Sequence, residues 1–102
     1  MARKAPTHEP PFALTLEGDL DVFSIHQQWE KAQPLLTTGS GKAELDLSSA
    51  GDLDLSGLQL LCALDRDLRS LGVQFTVVGA KEEWLGRFTP LGLAHLFDRG
   101  TP

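Results

Sequence analysis

Between residues 43 and 79 the chain changes hydrophobic period twice, and few folds accommodate that order. Ala43-Glu44-Leu45-Asp46-Leu47 alternates strictly, so Leu45 and Leu47 share one side of a strand while Glu44 and Asp46 share the other. Leu58, Leu61, Leu64, Leu68 and Leu71 then recur at helical spacing. At about 100° per residue they fall in one broad arc, the mark of a helix with one buried face. Gly72 stands where a C-terminal glycine cap is expected, and Phe75-Thr76-Val77-Val78-Gly79 is rich in strand formers. Strand, helix and strand in succession require a crossover connection, which gives parallel pairing of a definite hand. Residues 48–55, between the first strand and the helix, read as a polar loop.

The same alternation of elements extends to both sides. Phe12-Ala13-Leu14-Thr15-Leu16 has the period of a half-buried strand, and Glu17-Gly18-Asp19 is a turn signal. Ser24 and Gln27 have the spacing of a capping box, ahead of an apolar helical face at Ile25, Trp29, Ala32 and Leu36. Pro34 ends or kinks that helix, and Gly39-Ser40-Gly41 is a flexible connection. Residues 81–88 form a short amphipathic helix with Trp84, Leu85 and Phe88 inward; Thr89-Pro90 ends it, and Leu91, Leu93, Leu96 and Phe97 supply a last apolar patch. Residues 1–11, with Pro6, Pro10 and Pro11 and no aliphatic run, read as a flexible lead-in to a single domain over residues 12–102. The expected fold is α/β, with a small mixed, partly parallel sheet and helices packed mainly on one face.

Charge narrows the function classes. The 102 residues carry 9 lysines and arginines against 14 aspartates and glutamates, a net charge of −5. That balance argues against nucleic acid, whose binding needs a basic stripe, and against a polybasic membrane anchor. No apolar run approaches the ~20 residues of a membrane span, so membrane insertion is not expected. Cys62 is the only cysteine, which precludes an internal disulfide and suits a cytoplasmic protein. The acids are concentrated in two runs: Glu9, Glu17, Asp19, Asp21 and Glu30, then Glu44, Asp46, Asp52, Asp54, Asp65 and Asp67.

Catalytic and cofactor motifs are missing. His8, His26 and His95 lie in different elements and share no metal-ligand spacing with Cys62; Gly39-Ser40-Gly41-Lys42 lacks the frame of a phosphate loop. Asp52 and Asp54 could be imagined as an acid/base pair, but paired carboxylates need a substrate pocket between them, which a chain this small can hardly build. No enzyme, metal or cofactor is expected. Trp29 and Trp84 fit apolar helical stripes and read as core anchors, and Cys62 reads as packing.

The most unusual local sequence is the passage from strand to helix. Asp54 is placed to cap the helix, suiting the positive end of its dipole, and Ser56 lies in the first turn beyond the Leu60 edge of the apolar arc, where it is accessible. This passage resembles the STAS domain family, and the resemblance covers residues 12–98. Leu16-Glu17-Gly18-Asp19-Leu20-Asp21-Val22 is similar to the family's first-strand signature, Leu45-Asp46-Leu47-Ser48 to its central strand, and Asp54-Leu55-Ser56-Gly57-Leu58 to its hallmark at the start of the second helix. Gly72 to Gly79 and Leu91-Gly92-Leu93 with Leu96-Phe97 match the later pattern.

The resemblance implies a domain that does no chemistry itself. In anti-sigma factor antagonist members, the corresponding loop and helix start bind a serine kinase that also sequesters a sigma factor, and the serine at the position of Ser56 is phosphorylated to release it. A phosphoserine adds about −1.5 to −2 charge, and a helix N-terminus can hold it without refolding. Partner-binding residues carried by the resemblance and its surroundings are Ser48, Ser49, Asp52, Asp54, Leu55, Gly57, Gln59, Leu60 and Ala63, with Ser56 as the phosphorylation site. Leu55 stands where antagonist members carry Ser or Thr. That extends the resemblance to STAS proteins of chemotaxis-type operons and to the STAS subunit of the bacterial phospholipid-transport ATPase, in which the helix docks constitutively. A nucleotide or small anion at the helix start is a further alternative. The oligomeric state is left open.

Overall fold

The strand with the strictest alternation takes the centre of the sheet. In the computed structural model, which describes residues 12–37, 39 and 41–92, β3 (Lys42–Asp46) lies between β1 (Phe12–Thr15) and β5 (Gln74–Val78), parallel to both. The register puts Phe12, Ala43 and Phe75 in one row and Leu14, Leu45 and Val77 in another, two residues on and therefore on the same face. Ala43, Leu45 and Val77 are buried, and the strand neighbours in their rows pack against the core. The opposite face carries Ala13, Thr15, Glu44 and Thr76, so the core lies on one side of the sheet, as the alternation implies.

The second helix, α2 (Leu55–Ser70), buries Leu58, Leu60, Leu61, Leu64 and Leu68. It begins three residues earlier than the leucine arc alone indicates, because Asp54 caps it. It ends one residue earlier, leaving Leu71 as the C-cap and exposed. Gly72, at φ +76°, closes the end: its N–H donates to the Arg69 carbonyl, and the Val73 N–H to that of Leu68. That pair of bonds satisfies two otherwise orphaned carbonyls and needs a left-handed residue between them.

The first helix, α1 (Ile25–Ala32), continues into a 3-10 turn at Gln33–Thr37, as Pro34 dictates. The expected capping box does not form. Ser24 has helical rather than extended backbone angles and its side chain makes no cap bond. The Asp21 carboxylate instead accepts the N–H groups of Phe23 at 3.1 Å and Ser24 at 3.0 Å. Gln28 is 3% exposed although it faces the core from α1. Its Nε2 donates to the carbonyls of Glu17 at 2.8 Å and Asp19 at 2.9 Å, which anchors the helix to the adjacent strand.

Two short strands replace segments expected to be turn and loop. β2 (Gly18–Leu20) pairs in parallel with β4 (Ala50–Leu53), with Leu20 opposite Leu53 and both buried. The turn signal at residues 17–19 and the polar loop at residues 48–55 are thus only partly correct. Strands of three and four residues rich in Gly and Asp carry too short a period to declare themselves; each exists because the other is there. All the described strand pairings are parallel.

The last helix, α3 (Glu82–Phe88), buries Trp84 and Phe88. From its start Lys81 Nζ donates to the carbonyls of Ala50 at 3.1 Å and Gly51 at 2.9 Å, and Arg87 Nη1 to that of Leu53 at 3.1 Å. These bonds fasten α3 to β4. Leu91, expected in a final apolar patch, is exposed; Leu93, Leu96 and Phe97, with the lead-in at residues 1–11, lie outside the described residues. No helix among the described residues is long and apolar enough to cross a membrane.

Candidate docking site

Asp54 organises the place where strand becomes helix. Its Oδ1 accepts the N–H groups of Ser56 at 2.8 Å and Gly57 at 3.2 Å, satisfying two donors that a helix start otherwise leaves free. Its Oδ2 accepts the Val22 N–H at 3.2 Å, and its own N–H donates to the Leu20 carbonyl. Asp19 works in parallel one step back, with Oδ1 accepting the Asp52 N–H at 2.8 Å. The loop after β2 is therefore pinned to the start of α2.

That pinning gathers apolar side chains at the surface. Phe23 is 92% exposed, Leu55 62% and Val22 59%. Beside them a groove of about 370 Å³ runs between α1 and α2, lined by Ile25, His26, Trp29, Ser56, Gln59 and Leu60. Ser56 is half-buried in its wall and Gln59 is exposed. Trp84 is a core anchor as expected, whereas Trp29 is only partly buried and faces the groove. His26 is exposed, its Nε2 3.5 Å from Glu30.

The residues singled out by sequence do not all meet here. Ser56, Gln59 and Leu60 share the groove, with Leu55 next to it. Leu60, however, is 4% exposed and shows only an edge, because it belongs to the core arc. Gly57 is buried: a Cβ there would strike the Leu20 carbonyl and the Leu53 side chain, so its role is close packing of α2 on β2. Ser48 and Ser49 are exposed but precede β4, at the far end of that strand from α2. Ala63 is half-buried and does not line the groove. Sequence reasoning missed Val22, Phe23 and the groove wall of Ile25, His26 and Trp29. The available signal was Val22-Phe23 itself, an apolar pair between a turn and a helix that fits the period of neither.

The electrostatics separate structural from surface groups. The Ser48 N–H, 2.9 Å from Asp46 Oδ1, and behind it the Ser48 hydroxyl hold the Asp46 carboxyl below its ordinary value. Burial, then the charge of Asp65, push the Cys62 thiol above its ordinary value, which disfavours the reactive thiolate. With Asp54 already on the N–H groups of Ser56 and Gly57, a phosphate or other anion at the helix start meets a carboxylate instead of free amides. Among the described residues no group of His, Cys, Asp and Glu could hold a metal ion, and none of the groove's lining residues is a carboxylate.

Comparison with known proteins gives a consistent picture. A family model described as "Mlab, STAS domain" matches residues 6–98. Osmosensory protein A of Mycobacterium tuberculosis is 31% identical over 77 residues, covering 76% of this chain and 48% of that protein. The chain thus spans about half the length of this curated relative. Among solved structures, the anti-sigma factor antagonist SpoIIAA in its unphosphorylated form superposes with a TM-score of 0.67 at 19% identity, over 87% of this chain and 78% of SpoIIAA. A sulfate transporter family protein from Wolinella succinogenes gives 0.67 at 12% identity, over 82% and 68%. At those identities the structural likeness is one of fold.

Proposed function

The chain belongs to the STAS domain family, and from that premise we propose that it is a bacterial, cytoplasmic signalling module of the anti-sigma factor antagonist type. It binds a partner serine kinase and anti-sigma factor through the loop after β2 and the start of α2, and phosphorylation of Ser56 releases that partner. The observation that carries the reading is the position of Ser56: it lines an open groove between α1 and α2, and the segments leading into those two helices carry the exposed apolar residues Val22, Phe23 and Leu55. Large exposed apolar side chains concentrated at one helix start on a small domain suit an interaction site. The fold neighbour SpoIIAA, itself an anti-sigma factor antagonist described in an unphosphorylated form, supports the same reading.

In the proposed switch the Ser56 hydroxyl oxygen bonds to the γ-phosphorus of ATP, ADP leaves, and the hydroxyl proton passes to a base of the kinase. The new group brings about −1.5 to −2 charge beside the Asp54 carboxylate, whose oxygens already hold the local N–H groups. The N–H groups of Ser56 and Gly57 are already engaged and do not neutralise it. A partner packed over the groove then meets both bulk and like charge, and dissociates. Incubation with the cognate kinase and ATP, read by intact mass, tests this. One added phosphate, absent from Ser56→Ala, is expected; an unchanged mass, or a phosphate that persists in Ser56→Ala, overturns the switch.

Leu55 favours a second reading. An apolar, exposed residue beside Ser56 in place of a hydroxyl suits a dock that is never switched, on a phospholipid-transport ATPase or within a chemotaxis-type complex. Ser56→Asp separates the two: it abolishes binding under the switch and leaves a constitutive dock intact.

A further inference from the structure

The groove has a chemistry that selects among partner surfaces. Ile25, Trp29 and Leu60 make its apolar wall, while Ser56 and Gln59 supply polar groups. At about 370 Å³ it lies near the lower end of the range for small-molecule sites, and a protruding side chain enters it readily. The stretches of chain that build it are acidic, with Lys31 at the end of α1 and Arg66 and Arg69 in the second half of α2 as the cations of those helices. Residues 17–30 and 48–64, which form β2, most of α1, β4 and the first half of α2, include Glu17, Asp19, Asp21, Glu30, Asp52 and Asp54 and no lysine or arginine. Lys81 and Arg87, which reach β4 from α3, bond its carbonyl oxygens.

Resting on the docking reading above, we propose that this surface takes a cationic protein face that projects one apolar side chain. That side chain fills the groove against Trp29 and the edge of Leu60, in contact with Phe23 and Leu55 at the rim. Lysines or arginines around it face Asp19, Asp21 and Asp52. The charge decides against the competing occupants. A second copy would bring its own Asp19, Asp21 and Asp52 against these, and like charges across an interface suppress association. Anionic lipid and nucleic acid are repelled for the same reason. An apolar anchor in a pocket, ringed by complementary charge, is the usual anatomy of a tight protein contact.

Three synthetic peptides of equal length test the proposal on the full, isotope-labelled chain. One carries a central Phe flanked by Lys and Arg, the second the same Phe flanked by Glu, and the third Lys and Arg around a central Ser. Amide and indole resonances report where each binds. The first peptide is expected to saturate shifts at Trp29, Ser56 and Gln59, and to bind roughly tenfold more weakly when salt shortens the screening length severalfold. Phe23→Ala and Asp52→Asn, both on exposed side chains whose loss leaves the fold intact, weaken it further. Equal binding of the Glu-flanked peptide, equal binding of the Ser peptide, binding away from Trp29, or no binding at all overturns the proposal. So does a dilution series in which the same resonances shift in the chain alone, which identifies a second copy as the occupant. No kinase enters the experiment, so its outcome is independent of the phosphorylation test. Peptide binding without Ser56 modification removes only the switch, and Ser56 modification without peptide binding removes only the cationic, apolar occupant.

Discussion

The Asp54 carboxylate holds the Val22 N–H at 3.2 Å across 32 residues of sequence. Its other oxygen caps α2, so one side chain sets the loop that carries Phe23 against the helix that carries Ser56. The proposed docking surface is therefore assembled through Asp54.

Replacing Asp54 tests that dual role. Loss of a cap costs about 1 kcal/mol, within a range of roughly 0.5–2, and loss of the bond to Val22 adds about 1 kcal/mol. Asp54→Ala is expected to lose about 2 kcal/mol by urea unfolding. Asp54→Ser can cap with its single hydroxyl but cannot hold Val22 as well, so it recovers about half of that loss.

Two glycine-to-alanine changes in helices should differ in sign. Gly57→Ala drives a methyl into the Leu20 carbonyl and the Leu53 side chain and costs about 1–3 kcal/mol. Gly86, within α3, has nothing near the position of a Cβ, so Gly86→Ala stabilises by up to about 1 kcal/mol. Melting temperatures of the two variants measure both effects, and a loss of stability in Gly86→Ala contradicts the open environment.

Acid sensitivity is expected to involve Asp46. The Ser48 N–H and hydroxyl depress its folded value, so the folded chain binds the proton less readily than the unfolded chain. The resulting stabilisation is fully present above the ordinary aspartate value of about 3.9 and disappears as pH falls through the lower, folded value. Asp46→Asn should therefore flatten the acid limb of stability against pH, measured by urea midpoints. An unchanged limb would show that Asp46 does not contribute.

Cys62 should be a slow thiol. Burial and then Asp65 push its ionisation to higher pH, so near neutral pH it reacts with a disulfide reagent more slowly than free cysteine. Raising the pH should narrow the gap. Reaction at the rate of free cysteine near neutrality would contradict the half-buried position.

The sequence announces elements whose signal is local. The alternation of Ala43 to Leu47 and the leucine arc of α2 each span enough residues to show a period, and both are found where expected, as is the stop at Gly72. β2 and β4 are not legible, since Gly18-Asp19-Leu20 and Ala50-Gly51-Asp52-Leu53 become strands only by meeting one another. The entry to α1 misleads for a related reason: Ser24 has the right spacing for a cap, but Asp21 folds the approach into a turn by accepting the N–H groups of Phe23 and Ser24, and Ser24 takes helical angles in which its side chain makes no cap bond. At the site, Asp54 and Ser56 follow from helix-start chemistry. The groove does not, because it exists only between two helices whose separation no single segment encodes. Leu60 shows the limit of a helical wheel, which puts it at the edge of the apolar arc although packing against α1 and the strands buries it.

Parallel pairing of the described strands has a kinetic consequence. Phe12 pairs with Ala43, Gly18 with Ala50 and Ala43 with Phe75, each partner about thirty residues away, so none of these pairings forms as a local hairpin. With α1 only eight residues long, too short to persist alone, the sixteen-residue α2 is the longest local element, and the sheet itself forms from distant segments. During synthesis at about 5–20 residues per second, β1 waits roughly two to six seconds for β3 to emerge. For that interval the β3 partners of Phe12 and Leu14 are not yet available, so the pairing that holds β1 in the described sheet forms late.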